Sequence, residues 1–555
     1  MAKVYFLFLA IISFFTNGIG AAVGEQQAAQ VGLLRSFIDN FASISAKMEY
    51  FVFYKWEIAQ GVEIRIVIAW LIIASVWFTI YMGFINLRGF KHAVELIQGK
   101  YINPDKNLGG KGEVSPFQAL TAALSGTVGI GAIGGTAIAI GIGGMGAIFW
   151  IFMAGFFGMT MKFMECTLGV KYRNEYENGR VSGGPMYYIS KGFAEYGYFM
   201  ANLGKLFGML YAIGIAIGAL SIGNMFQSNQ AYKQLNQVYT LMTDGPMTNG
   251  VANIGNLNPW LIGSIFGVIV FAVIIGGIKS IVKVTEKIVP FMAVLFLTFA
   301  VIVIIYNIKY IPQTFAEIFT GVFTAKGVAG GAVGCLMIAF QRAIFSNEAG
   351  IGSASVAHSA VKTEHPPTEG FVALLEPFFG TIIILFISAL VIGTSQIADP
   401  SIRETLDLVR ENAFNILNNP DYIPGSNGAG DIKGIVIASN AFERVFPWFP
   451  YPLAIAACLF AFSTMIAWAY YGLKGWTYVF GESMISEVSY KLLYCIFIVV
   501  GAVASLKSVL SFGDAMTYFI CIPNIIAIYL LGPKVKREAS IYFTKIKSGE
   551  IKKYS

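Results

Sequence analysis

The sequence predicts an all-α polytopic membrane protein, built from two five-span repeats of opposite orientation with one additional helix in front. Three observations predict it. The 555 residues are 56% hydrophobic and only 12% charged, with a mean hydropathy of +0.67, against about 25% charge in a soluble domain. Apolar runs near the length that crosses a bilayer, about 20 residues, recur along the chain. Two of those runs are interrupted by glycine and polar residues at mid-depth, where lipid offers a freed backbone group no partner.

Taken in order, the chain opens on Lys3, an apolar run from Val4 to Phe15 and small residues from Gly18 to Ala22. That is the pattern of a secretory signal, and residues 1–22 are read as one. A signal puts the next segment, 23–64, outside the cytoplasm, where amphipathic helical stretches around Leu33 to Phe53 would lie on the membrane face. The membrane domain is expected over 65–535. Its eleven spans centre near residues 76, 128, 155, 216, 268, 298, 344, 383, 461, 499 and 523. Loops on one side carry about 22 Lys and Arg, those on the other about 12, so the richer side is cytoplasmic. The first mature segment is then outside and the basic tail, 536–555, inside, as an odd number of spans requires. Outer loops run from Tyr232 to Pro259 and from Ser395 to Pro450; in the second, Ile402 to Leu417 has helical spacing. Gly141, Gly143 and Gly144 mark a short outer turn.

Composition also excludes several classes. The five cysteines lie in or beside apolar runs without metal-ligand or disulfide spacing. The three histidines, His92, His358 and His365, form no hydrolase or metal constellation with the rest of the sequence. No phosphate-binding loop suggests ATP as a driver. The +7 net charge sits in membrane-flanking loops and is no nucleic-acid signal.

The first interrupted run is Leu124 to Gly135, with five glycines between Gly126 and Gly135. Such a stretch is poor material for a continuous helix. The second is Gln341 to Ser355, where apolar flanks enclose Arg342, Ser346, Asn347, Glu348, Gly350 and Gly352. With the first span set aside, the breaks open spans two and seven. Each therefore heads a group of five, about 115–308 and about 328–535. Five is odd, so the two repeats cross the membrane in opposite directions. Broken helices at matching positions of two halves point to a carrier whose solute and coupling ion bind at mid-depth.

Several stretches, in order, resemble the alanine or glycine:cation symporter family: Ser125-Gly126-Thr127-Val128-Gly129, Glu165-Cys166-Thr167-Leu168 running into Lys171-Tyr172-Arg173, Gly183-Gly184-Pro185-Met186-Tyr187-Tyr188, Gly223-Asn224-Met225-Phe226-Gln227, Phe345-Ser346-Asn347-Glu348-Ala349-Gly350 and Ala461-Phe462-Ser463-Thr464. They cover about residues 60–535. The resemblance implies a LeuT-type five-plus-five inverted repeat behind one extra helix. It implies sodium-coupled import of alanine or glycine by alternating access in a bacterial inner membrane, with no enzymatic chemistry and no cofactor beyond sodium as coupling ion. The expected partners are the amino acid, sodium and the bilayer. Two departures stand out. The family reads Gly-Thr-Gly-Asn where this chain has Gly129-Ile130-Gly131-Ala132, which removes an amide oxygen able to ligate a second ion. Its Gly-Gly-Pro-Gly turn is Gly143-Gly144-Met145-Gly146 here.

A zwitterionic substrate needs donors for its carboxylate and acceptors for its ammonium. The restart of span two, at Gly129, Ile130 and Gly131 with Gly134 beyond, offers free N–H groups and a helix N-terminus. Glycine lets that backbone approach closely. In span seven the carbonyls near Phe345 and Ser346 and the Asn347 side chain suit the ammonium. Phe345 and Trp468 would cap the pocket, although Trp468 could equally be an ordinary packed aromatic. Gln227 either lines the cavity or caps the outer end of span four. For sodium, the family resemblance assigns the Ser125 and Val128 carbonyls with the Ser463 and Thr464 hydroxyls; the alternative is hydroxyls bonded back to their own helix.

Charges at membrane depth default to function or to pairing. They are Lys162, Glu165, Arg342, Glu348, Glu376 and Asp514. Lys162 and Glu165, three apart, can pair on one helix. Glu348 is expected to gate or to pair with Arg342, with Glu376 as the alternative partner of Arg342. His358 and His365 are expected at the cytoplasmic exit, with no proton-relay role. Two other readings stay open: the same fold with another solute or with proton coupling, and an alanine-binding channel or sensor.

Overall fold

A computed structural model describes residues 52–59, 62–101, 111–177, 179–243, 257–324, 331–418 and 434–554, with isolated positions between 43 and 50. The expected signal, residues 1–22, and most of the expected amphipathic stretch from Leu33 to Phe53 lie outside the described residues. A short antiparallel hairpin, Lys55–Ala59 against Val62–Arg65, stands just before the membrane domain; the sequence pattern does not predict it. It leads directly into the first span, Ile66–Tyr81.

The second span begins where a capping box dictates. Ser115 Oγ accepts from the Gln118 amide, the Gln118 side chain returns to the Ser115 amide, and Pro116 fills the first helical position. The helix Pro116–Thr127 ends at the glycines and resumes, through a π turn at Gly131–Gly135, as Thr136–Gly143. The two halves are bent by 50°. Gly144, at φ +70°, makes the expected outer turn into Gly146–Lys171. Span four is longer than expected: Tyr198–Met242 is one helix carrying a π turn at Ser221–Met225. Pro259–Ile274 and Gly277–Tyr306 complete the first repeat.

The second repeat opens with Gly331–Asn347, breaks, and resumes as Ala354–His358. Pro366–Ala398, with a π turn at Phe378–Leu385, comes next. The outer loop folds as Pro400–Asn418, the helix expected from its spacing, and Gly434–Glu443. The remaining spans are Pro450–Phe480, Met484–Val503 and Leu506–Lys547. The last helix runs on past 535, where the tail was expected to begin, and puts Lys545 and Lys547 in its final turn, where they complement the helix dipole.

Seven of these helices are long and apolar enough to cross a membrane, and the bent pair makes an eighth crossing. Ile66–Tyr81 and Pro259–Ile274 are apolar but shorter, at 16 residues each. By length and composition, then, seven or eight of the eleven expected spans qualify. Burial sorts them into layers. Pro450–Phe480 is 78% buried and Leu506–Lys547 72%, whereas Gly277–Tyr306 is 28% buried and presents most of its surface outward. The two breaks therefore sit among protein-covered helices, the one place where irregular backbone is tolerated at membrane depth.

Candidate functional site

The site is built on the first break. Ile130's amide, freed where the helix stops, donates to Gln227 Oε1 at 3.1 Å. Ala132's amide, which an unbroken helix would give to Val128's carbonyl, goes instead to Gly129 (3.0 Å). Val128's carbonyl is thus released from the helical ladder. Thr464 Oγ1 donates to the Ser125 carbonyl at 2.8 Å, and Ser125 Oγ donates to the Ser463 carbonyl. Ser463 Oγ bonds back to Phe460 O at 3.0 Å. Span nine therefore meets the end of the first half-helix through the Thr464 hydroxyl and the Ser463 carbonyl, while the Ser463 hydroxyl bonds back to its own helix, the alternative left open for it. All of these side chains are buried.

Gly129 is fixed by space. A Cβ there would lie 2.6 Å from Thr464 Oγ1 and about as close, 3.0 and 3.1 Å, to the two Gln227 amide atoms. Span eight's Gly380 and span four's Gln227 close the break from two sides, with Gly380 3.4 Å, as a Cβ, from Val128's side chain. Gln227 lies at the break and not at the outer end of its helix.

The second break faces the first. Ser346 Oγ donates to Thr127 O at 3.4 Å. The Phe345 ring packs edge-on against Phe226, centroids 5.2 Å apart, and its edge lies 3.6 Å from where a Gly131 Cβ would sit. Ala349's amide, which a continuing helix would give to Phe345's carbonyl, goes to Asn347 Oδ1 at 3.0 Å. Asn347 Nδ2 and Tyr471 Oη are buried without a hydrogen-bond partner among the described residues. Tyr471 Oη is 3.2 Å from a Cβ built on Gly126. Buried polar atoms left in this way cost about 1–3 kcal/mol each. Gly134 is buried on the restart, its amide bonded to Ile130 O at 2.8 Å.

Trp468 does not share the Phe345 cluster. Its ring fills the space a Gly223 side chain would need, stacks edge-on with Tyr471 at 5.5 Å, and donates from Nε1 to Glu348 Oε1 at 2.9 Å. Trp468 thus holds Glu348.

The charge pairing differs from the expectation. Arg342 pairs with Asp514 on the last span, not with Glu348 or Glu376, and its guanidinium also lies 5.4 Å from the Phe345 centroid. Gln341 Nε2 adds a bond to the same Asp514 oxygen at 2.7 Å, and Arg65 of the hairpin bonds to Gln341 Oε1. Glu348 is held by Trp468 and by Ser353 Oγ. Lys162 pairs with Glu376 at 3.1 Å, not with Glu165, which accepts from Asn524 at 2.8 Å. His358 is fully buried between two carboxylates and is not at an exit. Helical spacing exposes only local partners, and each of these pairs joins different helices. Asp514 is readable as an acid at membrane depth in need of a base; which base it takes is not.

On the side of Glu113, the chain entering span two is tied to the segment that follows the second broken span. Val114 forms an isolated bridge with Val361, and Lys362 N donates to Val114 O at 3.0 Å. Arg173 reinforces this tie by donating to the carbonyls of Ser359 (3.0 Å) and Val361 (2.6 Å).

Residues 53–555 match the family described as the sodium:alanine symporter family. The chain belongs to that family. Among its relatives, the sodium/alanine symporter AgcS of Methanococcus maripaludis is 33% identical over 86% of this chain and 94% of its own length. The probable sodium/glutamine symporter GlnT of Bacillus subtilis is 32% identical over 88% of this chain and 89% of its own. The crystal structure of MhsT in complex with L-phenylalanine superposes with a TM-score of 0.50 at 17% identity, covering 76% of this chain and 90% of MhsT. That likeness establishes the LeuT-type fold. Membership of the symporter family makes the chain a cation-coupled amino-acid symporter, a multi-pass membrane transporter and not an enzyme.

Proposed function

We propose that this symporter imports a small neutral amino acid, alanine or glycine, together with sodium, across a bacterial inner membrane. The carrying observation is the junction at the first break, where the Ser125 carbonyl, the Thr464 hydroxyl, Gly129 and the Gln227–Ile130 contact lie together. Sodium prefers hard oxygens. The Ser125 and Val128 carbonyls with the Ser463 and Thr464 hydroxyls would supply them, once the hydroxyl protons turn away from their present acceptors. The substrate carboxylate would take the amides of Ile130 and Gly131, displacing or joining Gln227. The ammonium would take the Phe345 and Ser346 carbonyls and the Asn347 side-chain oxygen. Gly134 and the Phe345 ring would bound the side-chain space and keep the substrate small.

Sodium joins this site between spans two and nine, so it favours the arrangement that brings the repeats together. Coupling arises because each guest helps hold the geometry the other needs. Arg342 with Asp514 would act as the gate on one side of the chamber, and Val114–Val361 with Arg173 on the other. A cavity of about 310 Å³, lined by Glu113, Gly276, Gly277, Tyr470, Lys474 and Glu482 among others, lies at the foot of span two and is suited to receive the released substrate. In this reading residues 1–22 are a signal, 23–64 are extracytoplasmic, the repeats span about 115–308 and 328–535, and the C-terminus is cytoplasmic.

Purified protein in liposomes tests the proposal. A sodium gradient, directed inward, should concentrate labelled alanine or glycine above equilibrium. A proton gradient without sodium should not. Equilibration without concentration would indicate a channel, and drive by protons alone would remove sodium from the mechanism.

A further inference from the structure

Away from the chamber, four ionisable side chains form a chain inside the protein: Lys162 Nζ to Glu376 Oε2 at 3.1 Å, Glu376 Oε1 to His358 Nε2 at 2.8 Å, and His358 Nδ1 to Glu369 Oε2 at 2.7 Å. Every one of the four side chains is fully buried. They come from three helices: Gly146–Lys171, the restarted half Ala354–His358 of the second broken span, and Pro366–Ala398. Cys166 Sγ lies within 4.8 Å of an imidazole nitrogen of His358 and a carboxylate oxygen of Glu376. A metal is not called for, because Lys162 and Glu369 already use the second Glu376 oxygen and the second imidazole nitrogen.

The hydrogen bonds themselves count a proton. A neutral imidazole offers one donor and one acceptor. An ionised carboxylate only accepts. With both carboxylates ionised, two short contacts require two imidazole N–H groups. Charge leads to the same count: Lys162 neutralises one of Glu369 and Glu376, and one negative charge remains in a fully buried site. Glu369 Oε1 has no hydrogen-bond partner among the described residues, so His358 is the group that compensates it. The imidazole is also the stronger base, with a reference pKa of about 6.5 against about 4.3 for Glu.

We propose that His358 is a proton-binding site: it holds one proton as an imidazolium between Glu369 and Glu376, and that proton fastens the restarted half of the second broken span to its two neighbours. Other titratable groups act on the site from each packed element. Glu165 and Cys166 lie on the Lys162 helix and Glu348 at the break; Arg173 bonds the carbonyl one residue beyond His358, and Tyr471 and Tyr542 approach from spans nine and eleven. Charge on Glu165 or Glu348 favours the bound proton, and Arg173 opposes it. The proton is not the coupling ion in this account, since His358 touches neither the Ser125–Thr464 junction nor Gln227. It makes the fold sensitive to alkali. The folded state keeps a proton that the unfolded chain releases above about pH 6.5, so stability declines as pH rises.

Glu369→Gln separates this from a merely structural hydrogen bond. A glutamine can donate to a neutral imidazole's Nδ1 while Nε2–H serves Glu376, so every contact survives without the extra proton. Solid-state NMR of ¹⁵N-histidine protein in lipid at pH 7 reads the state directly, because the chain has three histidines. Burial pushes His92 down to about 4 and also lowers His365. The expected result is one imidazolium signal in the wild type, lost in Glu369→Gln and in His358→Gln. Thermal unfolding of the wild type should shift down in a one-proton step on the alkaline side, and Glu369→Gln should lack that step. A neutral His358 in the wild type at pH 7 would overturn the proposal, as would superimposable pH profiles of wild type and Glu369→Gln.

Discussion

The two broken spans solve one problem in opposite ways. The first breaks over Val128, Gly129 and Ile130 without a single left-handed residue, and the groups it frees are met by side chains from other spans, Gln227 and Thr464. The second breaks from Glu348 to Ser353 and uses three positive φ angles, at Glu348 (57°), Gly350 (86°) and Gly352 (85°). Its freed groups are wired in place. Asn347 caps Ala349, and Ser353 binds Glu348. Asn524 holds the Gly350 carbonyl and Tyr211 the Ile351 carbonyl, each at 2.8 Å. A left-handed Glu is strained, by about 1–3 kcal/mol, and Trp468 and Ser353 hold it there. The second break is thus a fixed frame, while the first is held by contacts between helices, which in the proposed mechanism a guest would enter and replace. A carrier needs both, since a site made only of exchangeable contacts would have no fixed reference from which to select its substrate.

That contrast can be broken experimentally at the first break with large effect. Gly129→Val should abolish alanine binding in equilibrium assays, because no rotamer avoids Thr464 and Gln227. Normal uptake by that variant would mean the chamber lies elsewhere. Arg342→Gln comes next. Loss of one partner of a buried pair costs about 3–5 kcal/mol, here leaving Asp514 without its guanidinium. Retention of alanine by the loaded protein should shorten by at least about tenfold, as seen in dissociation kinetics; an unchanged rate would make the pair purely structural.

Thr464→Ala should raise the sodium concentration for half-maximal alanine uptake by about tenfold, the equivalent of one hydrogen bond to a charged group at roughly 1.5 kcal/mol, with expression intact. No change in the sodium dependence would take Thr464 out of the site. The smallest effect belongs to the frame. Glu348→Gln keeps an oxygen to accept from Trp468 and turns the other contact round, its NH2 donating to the Ser353 hydroxyl, so substrate affinity should move by less than about threefold while thermal stability falls by about 1 kcal/mol. A large loss of affinity there would erase the distinction between frame and entrance.

How much of the molecule is legible in the sequence depends on the kind of signal. Glycine density makes the first break legible, and Phe345 to Gly352 the second, because backbone chemistry is written locally. The Ser463–Thr464 pair and Gln227 are legible as polar groups in apolar spans, and family resemblance joins the pair to Ser125. What stays hidden is tertiary. Arg342 and Asp514 lie 172 residues apart, and Lys162 and Glu376 are separated by 214; no periodicity links such positions. Trp468 and Phe345 read as one lid in the sequence, but Gly223 opens a slot that draws the indole away to Glu348. The π turns at Ser221–Met225 and Phe378–Leu385 shift helical register by a residue without leaving a signature in hydropathy. The hairpin Lys55–Arg65 escapes because its strands are short and its role, reaching Gln341 through Arg65, is a contact with the far repeat.

The most direct test is a structure with alanine and sodium bound. The account predicts the substrate carboxylate within hydrogen-bond distance of the Ile130 and Gly131 amides, and sodium between Ser125, Val128, Ser463 and Thr464. Alanine found outside this junction, with the Ile130–Gln227 contact undisturbed and span two wound continuously through Gly129, would contradict it.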